Sequence, residues 1–181
     1  MYELFVLGEL LDAPTHGYKL HQIVTHAIGP IRQLSWGALY PLLLRLEQQG
    51  FIVGKLDNSS GGRERKLYHI TEAGEARFQA LMAEPGAYNI DYPDLFSIKL
   101  HNFYKIELVG QLTILRHFRG YIQFIHDSLV EGQQHVAIEP EIHEPERQDI
   151  LRSMDHRLYV ARANLQWLDA EIARRTGEQI S

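Results

Sequence analysis

The sequence predicts a mainly α-helical protein with one small β-hairpin. Over most of the chain, apolar residues recur every three or four positions, which is the period of an amphipathic helix. Two short runs, 51–53 and 67–70, read as strands, and the segment 57–62 between them is dense in turn-forming residues. Near the C-terminus, apolar residues alternate at spacings of three and four, which predicts a helix that pairs with another helix.

Two helices are predicted before residue 30. The first has its apolar face from Leu4 to Leu11 and ends before Pro14, because a proline disfavours helix in the residue that precedes it. Thr15 is the expected N-cap of the second helix. The Gly-Pro pair at 29–30 is expected to close that helix.

The third and fourth helices flank the hairpin. Ser35 can cap the third helix, and Gly50 is its natural C-terminal glycine. Thr71 begins the fourth helix directly after the second strand. The buried stripe of the third helix is expected to consist of four leucines: Leu39, Leu42, Leu43 and Leu46.

The second half of the chain is predicted to be helical after a connector at 84–93, which holds two prolines and a glycine. Asp94 is expected to cap a short helix, a long helix is expected from about 106 to 131, and residues 132–145 are expected to form a loop. The last helix carries a heptad seam, which can pair with the preceding helix or with a second copy of the chain, or could instead line a pocket. The seam consists of Leu151, Met154, Leu158, Ala161, Leu165, Leu168 and Ile172.

Composition and charge limit the function. The 181 residues include no cysteine, which excludes a disulfide framework, a thiol nucleophile and Cys-ligated metal sites. The net charge is −5, but residues 15–70 hold seven basic and three acidic residues. Residues 83–181 hold ten basic and fifteen acidic residues. The basic segment could therefore contact phosphate groups, and the acidic segment is expected to have a different role. The acidic N-terminus and the lack of a long apolar run predict a cytoplasmic protein without a membrane partner.

The sequence offers no support for an enzyme or a metal protein. It contains no Gly-rich phosphate loop, nucleophile elbow or recognisable carboxylate pair. His16, His21 and His26 are spaced five apart, which spreads them around a helix rather than gathering them at one metal site. We therefore expect no catalytic residue, no metal and no cofactor.

Three helices followed by a hairpin with a basic tip predict a winged helix-turn-helix. The third helix would enter the major groove of double-stranded DNA, and the wing arginines would lie along or in the minor groove. The candidate DNA-binding residues are Tyr18, Ser35, Trp36, Gly37, Ala38, Tyr40, Pro41 and Arg45, with Arg63, Arg65 and Lys66 on the wing.

Several of these residues also have a purely structural interpretation. Tyr18 and Tyr40 could pack in the core rather than reach phosphate, and Trp36 could be a core anchor. The basic wing could be a solvated hairpin. Pro41 could serve the fold alone.

Four segments together resemble one family. They are THGY at 15–18, GALYPLL at 37–43, RLEQQGFI at 45–52 and RKLYHITEAG at 65–74. In this order and spacing they resemble the PadR family of bacterial transcriptional regulators over roughly residues 2–82, and the C-terminal layout resembles the PadR proper subgroup. The resemblance implies a DNA-binding domain at 1–83, the connector at 84–93 and a helical dimerisation and effector domain at 94–181.

The resemblance further implies a homodimer that binds an inverted-repeat operator, usually as a repressor, and that a small, possibly aromatic, effector can release. Aromatic residues near the domain junction are candidate effector contacts: Tyr92, Phe96 and Tyr159. Two alternatives stay open, a winged-helix module that binds protein and a co-activator that acts with a second regulator.

Overall fold

A computed structural model describes residues 1–28, 35–57 and 65–177, with the backbone alone at 25–28. Arg63, the Gly-Pro pair at 29–30 and most of the predicted hairpin turn lie outside these ranges. The described elements are α1 (Tyr2–Asp12), β1 (Thr15–His16), α2 (Gly17–Ile28), α3 (Trp36–Gln48), β2 (Ile52–Asp57), β3 (Arg65–Ile70), α4 (Glu72–Ala83), α5 (Tyr92–His101), a 3-10 turn (Phe103–Lys105), α6 (Leu108–Ile138) and α7 (Glu146–Thr176).

The fold is mainly helical with a small antiparallel sheet, which confirms the predicted fold class. The sheet has the strand order β1-β3-β2, with Ile52 opposite Ile70 and Thr15 opposite Tyr68. The prediction that Thr15 caps the second helix was wrong. Thr15 is a strand residue whose hydroxyl donates to the carbonyl of Ala13, because β3 offers its second edge to this segment.

The core of the winged helix is built on α1, whose apolar residues face inward on several sides. Phe5, Val6 and Leu7 have no exposed surface, and Phe78 of α4 is equally buried. The four predicted leucines of α3 are buried as expected. This packing leaves only the opposite side of α3 open to solvent.

The helix ends that orient α3 and α4 follow the predicted capping. Gly50 has φ +76°, the left-handed conformation in which glycine ends a helix. The Thr71 hydroxyl accepts a hydrogen bond from the Gly74 N–H and lies 2.6 Å from the Gly50 carbonyl, to which it donates. Thr71 thereby links the end of α3 to the start of α4.

The chain divides into two compact units, residues 1–110 and 111–181, rather than at the predicted connector. Buried lysines explain why residues 92–105 pack with the winged helix. The Lys99 ammonium donates to the carbonyls of Met82 and Glu84, and Lys105 donates to the carbonyl of Gly8 at 2.6 Å. The functional division into domains stays a prediction.

The start of α5 also differs from the prediction. The helix begins at Tyr92 after Asp91, so Asp94 lies within its first turn instead of capping it. Pro93 occupies the first turn, where a proline loses no helical hydrogen bond and its fixed φ suits the helix.

Helices α6 and α7 form an antiparallel pair in the second unit. Arg119 of α6 binds Asp169 of α7, while nearer the connecting loop Gly132 lies against Met154. The predicted loop at 132–145 was too long, because α6 continues to Ile138. A Cβ at Gly132 would lie 2.4 Å from the Met154 side chain, so the glycine permits α6 and α7 to pack closely within the segment that was predicted to be a loop.

Part of the heptad seam is buried within a single chain. Leu158, Ala161 and Leu168 are buried, and the other seam residues, Leu151, Met154, Leu165 and Ile172, are half-buried. Of the two partners that the sequence left open, the preceding helix contacts the seam at Met154, beside Gly132. A role of these seven residues in dimerisation stays a prediction.

Arg147 closes the loop between α6 and α7, and its loss is expected to destabilise the helix pair. Its guanidinium donates to the carbonyls of Val136, Glu139 and Ile142. We expect Arg147→Ala to lower the free energy of unfolding by about 1–3 kcal/mol, since half-buried carbonyls lose a charged donor. Urea denaturation would measure the change.

Arg152→Ala is the matched control for that experiment. Arg152 is largely exposed and makes one ion pair, with Asp149 of its own helix. We expect a change of less than about 1 kcal/mol. Equal effects of the two variants would contradict the role given to Arg147.

Candidate DNA interface

The exposed face of α3 contains every residue that the sequence placed there. Ser35, Trp36, Gly37, Ala38, Tyr40, Pro41 and Arg45 are all exposed, as are Leu44 and Gln48. Pro41 lies inside the helix, in its second turn, so the carbonyl of Gly37 does not receive the helical hydrogen bond that an N–H at position 41 would donate. Both residues face solvent, where water can meet that carbonyl.

A groove of about 640 Å³ lies between α3 and the wing. We call it the wing groove; it is lined by His16, Gly17, Tyr18, Tyr40, Arg65, Lys66 and Tyr68. Four predicted DNA-binding residues therefore surround one concave surface, although they come from α2, α3 and β3. Arg65 and Lys66 supply two positive charges, and Tyr18 and Tyr40 supply two hydroxyl groups.

Arg65 and Tyr18 form one wall of the wing groove. The guanidinium carbon of Arg65 lies 5.3 Å from the centre of the Tyr18 ring, and His16 stacks on Tyr18 at 5.7 Å. An arginine over an aromatic face is held without using its hydrogen-bond donors, which stay available to a phosphate. Tyr18 is 43% exposed, so it is not a core residue.

Lys66 is already engaged within the protein. Its ammonium lies 3.0 Å from a carboxylate oxygen of Glu47, and the same carboxylate accepts the N–H of Gly54 at 3.0 Å. The hydrogen bond to Glu47 raises the pKa of Lys66, so the lysine stays charged and paired. Glu47 therefore joins α3 to both strands of the wing.

His16 ties the short strand β1 to the wing. Its Nδ1 lies 3.1 Å from the carbonyl of Lys66, which can only accept, so this nitrogen donates. Its Nε2 lies 3.2 Å from a carboxylate oxygen of Asp57. The sequence reasoning missed both His16 and Glu47, and only the THGY and RLEQQGFI motifs pointed to their positions.

Trp36 connects the start of α3 to α2. Its indole stacks on the His21 ring with centroids 3.9 Å apart and an angle of 6°, and Tyr40 lies 5.8 Å away on the same side of α3. Trp36 is 44% exposed, so it is not a core residue, and its stack on His21 shows that the side chain is held in place. The stack fixes the helix start where it emerges next to the solvent-exposed face.

The other edge of α3 faces the N-terminus. Ala38, Pro41 and Arg45 line a second groove of about 430 Å³ with residues that include Glu3 and Asp91. The predicted DNA-binding residues thus lie on both flanks of one helix rather than in one pocket. Such a spread is compatible with a helix that is surrounded by the walls of a DNA groove.

The candidate effector residues differ in exposure. Tyr92 and Phe96 are buried in the first unit, whereas Tyr159 of the second unit is 73% exposed. Burial raises the pKa of Tyr92, whose ring covers Gly86. Their role in binding an effector stays a prediction.

The described part of the chain contains neither a candidate membrane span nor a candidate metal site. In the part of the chain that the structure describes, no helix combines the length and the apolar character that crossing a bilayer requires. Within the same ranges, no group of three or more His, Asp or Glu side chains could hold a metal ion. The His26 side chain lies outside them.

The fold and the basic wing groove define a winged helix-turn-helix protein. Residues 6–80 match the model of the transcriptional regulator PadR-like family. The N-terminal part of this chain is therefore a PadR-like domain, which confirms the resemblance read from its motifs. No curated protein matched the chain.

Three solved structures illustrate the similarity. A PadR-like transcription factor from Bacteroides fragilis is 28% identical, with 45% of this chain and 76% of that chain covered and a TM-score of 0.40. A PadR family transcription regulator from Clostridium difficile is 26% identical, with 44% and 80% covered and a TM-score of 0.39. Bacillus subtilis PadR in complex with operator DNA is 16% identical, with 96% and 98% covered and a TM-score of 0.46.

Proposed function

We propose that this protein is a dimeric transcriptional regulator that binds an inverted-repeat DNA operator, as a repressor. The observation that supports it best is the exposed face of α3 beside the basic wing groove, within a PadR-like domain. The net charge of −5 does not oppose this function, because phosphate contact depends on the local charge of the surface.

In this proposal α3 lies in the major groove, which is about 12 Å wide and admits one helix. Gly37 has no side chain and Ala38 has only a methyl group, so the first turn of α3 can approach the base edges closely. Arg65 and the hydroxyls of Tyr18 and Tyr40 then contact phosphates along the rim. Contacts of this kind set the position of the protein, and base contacts set its specificity.

Dimerisation through the second unit would set the distance between two copies of α3. Recognition helices must lie about 34 Å apart to meet successive major-groove faces of one inverted repeat. Besides the partly buried seam, the helix pair exposes large apolar side chains that a second copy could cover: Phe124, Tyr159, Val160 and Trp167.

Repression and release by a small aromatic effector come from the family resemblance. An effector that favours another arrangement of the second unit would change the spacing of the recognition helices and shift the population away from the DNA-bound state. Tyr92, Phe96 and Tyr159 remain the candidate contacts. A regulator that acts together with another protein is the alternative to a repressor.

Arg65→Met is expected to weaken operator binding and to lower its salt dependence. The ring of Tyr18 takes up none of the Arg65 hydrogen-bond donors, so loss of this arginine from the groove rim should reduce the slope of log affinity against log salt by about 1. A gel-shift titration at two or more salt concentrations, with an operator obtained by selection from random DNA, would measure both effects.

Lys66→Met is the matched control, since it removes one positive charge from the neighbouring residue. Because Glu47 already neutralises Lys66, we expect a smaller change of the salt slope. Equal slopes for Arg65→Met and the wild-type protein would contradict the phosphate contact. Failure to select any operator would contradict the proposed function and favour the protein-binding alternative.

A further inference from the structure

An exposed leucine lies within the face of α3 that is proposed to enter DNA. Leu44 is 55% exposed and is not among the residues that the sequence predicts to bind DNA. It lies one helical turn after Tyr40 and one turn before Gln48, and it shares their side of the helix. It is the one leucine of α3 that is not buried.

The position of Leu44 on the helix is central rather than marginal. The buried stripe of Leu39, Leu42, Leu43 and Leu46 marks one side of α3, and a helical step of 100° per residue places Leu44 nearly opposite its centre. Tyr40 flanks it toward the wing groove, whereas Ala38 and Arg45 flank it toward the N-terminus.

The approach to this face is open two turns earlier. A Cβ placed on Gly37 would have only the Ser35 hydroxyl oxygen within 4 Å, at 3.8 Å, apart from its chain neighbours and its own helix. A base edge could therefore come close to the first turn of α3, two turns before Leu44 on the same side of the helix, without displacing another part of the described chain.

The chemistry of leucine limits what it can recognise in a major groove. It has no hydrogen-bond donor or acceptor, so it cannot satisfy a phosphate or the polar edge of a base. The major groove of natural base pairs presents one apolar group, the 5-methyl group of thymine. Burying Leu44 against any other base edge would remove that edge's polar atoms from water without a partner.

We propose that Leu44 determines operator specificity by contacting the 5-methyl group of a thymine in each half-site. This inference rests on the proposed function and adds to it the base that one residue reads. Tyr40 and Arg65 would hold the backbone, and Leu44 would discriminate among sequences. The proposal therefore predicts that operator binding depends on a single methyl group of the DNA in each half-site.

The test replaces each thymine of the selected operator, one pair of symmetric positions at a time, with deoxyuridine. This removes only the methyl group. For the wild-type protein, one position should lose roughly fourfold in affinity per half-site, the value of one buried methyl group. For Leu44→Ala, the same position should show no further loss. Gln48→Ala, on the same face, is the control variant and should keep the sensitivity to deoxyuridine.

Three outcomes would overturn the proposal in different ways. An operator that is bound tightly but is insensitive to deoxyuridine at every position would overturn the thymine contact alone. A position that is equally sensitive in the wild-type protein and Leu44→Ala would assign the methyl contact to another residue. If no operator can be selected, the proposed function fails, and the role of Leu44 fails with it.

Discussion

Leu46→Ala is expected to lower the free energy of unfolding of the winged helix by about 2–5 kcal/mol. Leu46 has no exposed surface and packs in the stripe that holds α3 on the core. Truncation removes buried apolar area and leaves a cavity. Alanine has the highest helix propensity, so the loss cannot come from weaker helix formation. Thermal or urea denaturation followed by circular dichroism would measure it.

Leu44→Ala is the control within the same helix. It makes the same chemical change two residues earlier, at a side chain that is 55% exposed. We expect its stability to stay within about 0.5 kcal/mol of the wild-type value. A large loss at Leu44 would mean that this side chain is covered in the folded protein, which would also contradict its proposed contact with DNA.

Gly74→Ala is expected to destabilise the same unit by about 3 kcal/mol. A Cβ on Gly74 would lie 2.1 Å from the carbonyl oxygen of Phe51 and 2.7 Å from Ile70. That carbonyl accepts the N–H of Thr71 at 3.0 Å, so moving it disturbs the cap that begins α4. The close contact is with backbone, which cannot rotate away as a side chain could.

Gly37→Ala is expected to have the opposite effect on stability, although Gly37 occupies a similar position in α3. Gly37 also lies in the first turn of a helix, but within the described chain its Cβ would meet only the Ser35 hydroxyl, at an ordinary contact distance of 3.8 Å. Alanine should therefore stabilise α3 by up to about 1 kcal/mol. Parallel denaturation of the two variants separates close packing from helix propensity. Loss of stability in both would show that steric contact at Gly74 is not the cause.

Local patterns predicted the winged helix well because its determinants lie close together in sequence. The leucine stripe of α3, the glycine at position 50 and the cap at Thr71 each depend on neighbours within one or two turns. Because the four leucines mark the buried side of α3, the remaining positions of the helix are predicted to form its exposed face. For the same reason the sequence could predict which side of α3 is open, and could name seven residues on it.

Local sequence patterns could not predict the interactions between segments that are distant in sequence. The strand β1 exists because β3 has a free edge, and two residues carry no periodicity that would reveal it. No local pattern distinguishes Lys99 and Lys105 from other lysines, yet both donate hydrogen bonds to backbone carbonyls of remote segments. This long-range packing assigned residues 92–105 to the first unit.

The sequence by itself determined the class of domain, the helix that carries the exposed face and the sign of the charge on the wing, because helix periodicity, capping and charge are local properties. Only the tertiary structure decided which charges are available. Arg65 lies over Tyr18 with its donors unused by that ring, whereas Lys66 is paired with Glu47, nineteen residues away. Adjacent basic residues differ in this way because the partners of a side chain are set by packing between elements, which no spacing along the chain records.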